Sequence, residues 1–79
     1  MKIIGGKTYY GAIRDGVIRV MPMSVIQARG VVKGWDCHNK DYDPDKPKIP
    51  RSIGLHRKYI FETYEEAHKA VFQIKLKVE

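Results

Sequence analysis

Asp15-Gly16, set between two runs rich in β-branched and aromatic residues, is the feature that most constrains this chain. Lys7-Thr8-Tyr9-Tyr10-Gly11-Ala12-Ile13-Arg14 precedes it and Val17-Ile18-Arg19-Val20-Met21 follows. A two-residue hairpin turn of type I′ needs positive φ at both centres, which Asp-Gly tolerates. With that tip, Arg14 pairs with Val17, Ile13 with Ile18, Ala12 with Arg19, Gly11 with Val20 and Tyr10 with Met21. Alternation then puts Tyr9, Gly11, Ile13, Ile18 and Val20 on one face, and Tyr10, Ala12, Arg14, Val17, Arg19 and Met21 on the other. The first set reads as core. The second reads as a half-apolar, doubly basic outer surface.

Downstream signals are mixed. Pro22 cannot donate to a ladder and is expected to end the second strand. Ser24 with Gln27 three residues on resembles a capping box, so Val25 to Arg29 reads as a short helix stopped by Gly30, against the β-branching of Val25 and Ile26. Val31 to Cys37 reads as a strand with Val31, Lys33, Trp35 and Cys37 on one face. His38 to Gly54 holds Pro44, Pro47 and Pro50 among alternating charges, a long proline-rich loop of the kind that is functional or disordered. Leu55 to Phe61 returns as a strand. Thr63 and Glu66 form a capping box, and Tyr64, Ala67, Ala70, Val71, Ile74 and Val78 then line one helical stripe. Phe72, Ile74, Leu76 and Val78 also alternate like a strand, but no turn residue stands near Ala70-Val71, which favours a helix from Tyr64 to about Lys75.

These pieces predict an α+β fold: a small antiparallel sheet of three or four strands with the C-terminal helix packed on one face. The core is expected from Tyr9, Ile13, Ile18, Val20, Val31 or Val32, Tyr59 or Ile60, Ala67, Ala70, Val71 and Ile74. Seventy-nine residues, 43% of them hydrophobic, suit one small domain over 1–79. The single cysteine, Cys37, precludes an intramolecular disulfide framework and suits a reducing, cytoplasmic setting. No apolar run approaches the ~20 residues of a membrane span.

Catalytic and metal chemistry find little support. Asp41-Tyr42-Asp43-Pro44-Asp45 opens like a calcium loop, but Lys46 and Ser52 stand where Gly and Glu are needed. Cys37, His38, His56 and His68 lack the spacing of a zinc site. Cys37 beside His38 has neither an orienting partner nor oxyanion donors in view. The sequence therefore predicts no catalytic residues, no metal and no cofactor.

The charge balance says more. Net charge is +6, and residues 1–35 carry six Lys/Arg against one Asp. Lys7, Arg14, Arg19, Arg29 and Lys33 are expected to form a positive sheet face, with Tyr10 and Trp35 as stacking groups. Such a face attracts phosphates by counterion release and offers aromatic platforms to bases. The expected function is non-catalytic binding of DNA or RNA.

Phe61-Glu62-Thr63-Tyr64-Glu65-Glu66-Ala67-His68-Lys69-Ala70 resembles the F-x-T-x-E-E-A-x-x-A segment of ethylene-response-factor-type DNA-binding domains. The resemblance covers ten residues. It implies a three-stranded antiparallel sheet reading the major groove, with the helix behind it and Arg14, Arg19, Lys33 and Trp35 as sheet-face candidates. The competing expectation is a small phage or mobile-element protein that binds and inhibits a host protein complex, with Tyr42, Phe72 and Leu76 as contacts. A homodimer through a free sheet edge would fit either reading.

Overall fold

A computed structural model of the chain describes residues 2–46 and 50–78. In chain order it has β1 (Tyr9–Ile13), β2 (Gly16–Ala28), β3 (Val31–Asn39), β4 (Ser52–Leu55), a 3₁₀ turn (Arg57–Tyr59), β5 (Ile60–Phe61) and α1 (Tyr64–Val78). The strands make one antiparallel sheet in the order β4-β3-β2-β1-β5. The α+β architecture is as expected, with five strands in place of three or four. The segment expected as a single strand from Leu55 to Phe61 is divided between both edges of the sheet: Leu55 pairs with Trp35, Phe61 with Tyr10.

That division forces the sheet to coil. Five flat strands would hold their edges about 19 Å apart. Only the 3₁₀ turn and its flanks join Leu55 to Ile60, a span of roughly 13 Å at most. The edges therefore curl together, and the Leu55 side chain comes to lie over Gly11, where a Cβ would sit 2.6 Å from Leu55 Cδ1.

In the first hairpin Ile13 pairs with Gly16, Ala12 with Val17, Gly11 with Ile18, Tyr10 with Arg19 and Tyr9 with Val20. Arg14-Asp15 thus forms the tip instead of Asp15-Gly16. Neither tip residue has positive φ, and Gly16 opens β2 at φ 147°. Each partner moves by two residues, an even number, so the two faces keep the composition read from the sequence.

Two other expectations are corrected. β2 does not stop at Pro22, and no helix forms at 25–29. The strand continues to Ala28 and turns at Arg29 (φ 56°) and Gly30 (φ 78°), so the I′ geometry belongs to this second hairpin. Pro22 is tolerated because its carbonyl, and so its missing donor, faces away from β3 to a place β1 has already left; Gly6 N–H donates to that carbonyl at 2.8 Å. Met23 on β2 and Lys33 on β3 are the extra residues of two bulges, which sharpen the coiling.

Coiling gives the sheet two buried faces. Tyr9, Ile18, Val20, Cys37, Leu55 and Ile60 fill the concave side, with Ile3, Ile13, Trp35 and Ile53 at its margin. Ala12, Ala67, Ala70 and Val71 form the other core, against Tyr10, Val17, Tyr59, Phe61 and Ile74. The helix therefore covers the face expected to be outward. Small side chains explain this: Ala67 and Ala70 let α1 approach Ala12 closely. Thr63 Oγ1 accepts from Glu66 N–H at 3.3 Å, which is the threonine half of the expected capping box. The side chains of Val31, Val32 and Leu76 lie outside the described residues.

Candidate nucleic-acid interface

The predicted cationic face is not one patch. Arg14 sits at the β1–β2 tip and Arg29 at the β2–β3 tip, at opposite ends of the 13-residue β2. Lys7 is exposed, its Nζ 5.6 Å from the Tyr9 ring centroid. Tyr10 is packed on the helix side, edge-on to Tyr64 at 6.1 Å. Trp35 lies on the concave side. Tyr10 and Trp35, expected as joint stacking groups, are thus on opposite faces of the sheet.

Arg19 is exposed but engaged. Its Nε–H and its backbone N–H each donate to the Asp41 carboxylate at 2.8 Å. The hydrogen bond and the charge of Asp41 raise the Arg19 pKa, and Arg19 holds the Asp41 carboxyl below the usual carboxylate range. Sequence reading missed this pair because Asp41 lies 22 residues away.

What the fold does bring together is a cleft of about 750 Å³ beside β5. Trp35, Ile3, Val25, Ile60 and Phe61 supply its apolar lining, while Lys2, Arg57 and Lys58 carry the positive charge; Glu66 is the one acid on it. Lys33, also exposed, is two residues from Trp35 along β3. The 3₁₀ turn creates the basic side: His56 Nδ1 accepts from Lys58 N–H at 3.2 Å and the His56 carbonyl from Tyr59 N–H at 2.8 Å. Lys58 also stands 5.1 Å from the Tyr59 ring centroid. Lys2, Arg57 and Lys58 were absent from the predicted site because Arg57 and Lys58, read in a strand, point to opposite faces. The local signal was His56, a side chain able to cap a tight turn.

The remaining candidates are placed differently. Cys37 is fully buried, its Sγ–H directed at the Trp35 carbonyl at 3.6 Å. Burial pushes the thiol up to about 11, and Asp36 adds to the effect. The Asp43 carboxylate accepts from Asp45 N–H at 2.9 Å, a local turn contact. Among the described residues no three His, Cys, Asp or Glu side chains gather as a metal would require. Tyr42 is half-buried beneath Arg51, 5.5 Å from its ring centroid. Phe72 is 56% exposed and closes an aromatic ladder with His68 and Tyr64 along the helix. No described helix is long and apolar enough to cross a membrane.

Compared with protein-family models, with curated proteins and with solved structures, the chain matches none. Residues 61–70, which carry the resemblance, span the junction from β5 to α1.

Proposed function

We propose that this protein is a small, non-catalytic nucleic-acid-binding module acting through the cationic cleft around Trp35. The observation that carries the reading is the grouping of Lys2, Arg57 and Lys58 around a half-buried aromatic. Positive charges draw in a phosphate backbone, and an aromatic floor gives a base a surface to stack on. Lys33 and Arg29 extend the positive surface along the second hairpin; Arg19, neutralised by Asp41, contributes least.

Titrating DNA and RNA against the protein at several salt concentrations tests this. The reading expects affinity to fall linearly in log–log form, and the double variant Arg57→Ala/Lys58→Ala to lower the slope by roughly one to two. Salt-independent or absent binding would remove it.

A second reading, a protein-binding inhibitor, is favoured by one feature. Tyr64 and Phe72, 51% and 56% exposed, are joined through His68 in one stack along the helix. Exposed aromatics at such spacing suit a partner protein. Salt-insensitive binding to a defined protein partner, lost in Phe72→Ser, would support it.

A further inference from the structure

We infer that the Trp35 cleft takes one unpaired nucleotide, which makes single-stranded nucleic acid the preferred ligand of the module. This rests on the nucleic-acid reading above and narrows it. Trp35 is recessed: it is half-buried against the concave core, and the N-terminal segment lies beside it, a Cβ on Gly5 standing at ordinary contact distance, 3.9 Å, from the indole Cζ3. Bases in a duplex are stacked inside the helix and cannot enter such a recess without being flipped out, at a cost of a few kcal/mol. A base on a single strand is already free to enter.

The cleft also has the right scale and polarity. At about 750 Å³, and open to solvent along one side, it falls within the size range of small-ligand clefts. Its apolar lining suits a base. Its cations are separate in sequence, Lys2 from the N-terminal segment and Arg57 with Lys58 from the 3₁₀ turn. Glu66 lies on the same lining and repels phosphate, so the backbone is held to the cationic part while the base goes to Trp35.

Trp35 is the chain's one tryptophan, so its emission reports the site directly. The experiment titrates full-length protein with ten-residue oligo(dT), ten-residue oligo(U) and a blunt ten-base-pair DNA duplex. Expected are quenching of Trp35 emission by the single strands and affinity for them at least tenfold above that for the duplex. The oligo(dT) and oligo(U) arms show which sugar is preferred. Trp35→Ala should weaken single-strand binding about ten- to hundredfold, and Trp35→Phe much less, as loss of one stacked base implies. Because Trp35→Ala could unfold the core, Arg57→Ala/Lys58→Ala is run beside it. That exposed pair should weaken binding at least tenfold with the melting temperature unchanged. Duplex binding as tight as single-strand binding, or binding without change in Trp35 emission, overturns the inference and leaves the nucleic-acid reading standing. No binding of any of the three at low salt overturns both.

Discussion

The Asp41 carboxylate takes the Arg19 backbone N–H on Oδ2 and the guanidinium Nε–H on Oδ1, and Arg19 Nη2 lies 2.6 Å from Oδ1. Lys40 N–H donates in turn to the Arg19 carbonyl at 2.9 Å. The first turn of the 40–51 segment is thereby docked on the middle of β2. Arg19 serves this contact, which removes it from the cationic surface.

Acid should release that dock. Arg19 lowers the pKa of Asp41 below its unfolded value near 3.9, so the native state favours the carboxylate. The stabilisation is complete above about pH 5 and is lost as pH falls through the depressed folded pKa. Asp41→Asn should show a smaller stability loss between pH 5 and pH 2 than the parent, measured by urea titration. Arg19→Ala should also lower nucleic-acid affinity less than Arg57→Ala does.

Cys37 should be slow to label. A pKa pushed from 9.0 to about 11 lowers the thiolate fraction at pH 8 by about a hundredfold, and burial adds a steric barrier. Labelling by a thiol reagent should therefore follow unfolding and accelerate sharply in urea. The linkage has a definite sign. Between about pH 9 and 11 the unfolded thiol ionises while the native one does not, so this group's contribution declines as pH rises. Cys37→Ala should flatten the stability profile over that window.

Gly34 marks a crossing that accepts no side chain. A Cβ there would lie 2.7 Å from His56 Cα and overlap the Leu55 carbonyl, both backbone atoms. Gly34→Ala should cost about 2–3 kcal/mol or more. In a domain this small that corresponds to a fall in melting temperature of roughly 10–20 °C. Because the 3₁₀ turn is displaced with it, the variant should lose oligonucleotide binding as well.

The helix start should respond in proportion to one capping bond. Thr63→Ala removes the acceptor for Glu66 N–H and should cost about 1 kcal/mol, read from thermal or urea unfolding. Thr63→Ser should cost less.

Local chemistry made part of this architecture legible. The hairpin around Asp15 and the cap at Thr63 depend on neighbours within four residues, and both are present. Strand parity was legible too: the even shift of register left Tyr9, Gly11 and Ile18 on one side and Tyr10, Ala12 and Val17 on the other. Which side received the helix was not, because the half-apolar second face carries Arg14 and Arg19; the helix packs on its Ala12 and Val17 while both arginines stay exposed. The Arg29-Gly30 turn was hidden for a different reason. Arginine seldom adopts positive φ, while Ser24 and Gln27 imitate a helix start. Of the residues proposed to bind, Trp35 is singled out in the sequence by its type alone; Arg57 and Lys58 are brought to the cleft by the 3₁₀ turn, which strand-like alternation concealed.

Asn39, 1% exposed, clasps the two ends of the proline-bearing segment. Its backbone N–H reaches the Arg51 carbonyl at 2.8 Å, its Nδ2–H the Pro50 carbonyl at 3.1 Å, and its Oδ1 accepts from Asp41 N–H at 2.9 Å. Asn39 thus holds Pro50 and Arg51 against the end of β3, so the length of chain between the two ties enters only as a loop-closure cost. Doubling that length would add only about 0.6 kcal/mol of closure entropy. The protein therefore possesses a natural graft point, where an epitope or a second binding element can be spliced without rebuilding the scaffold beneath.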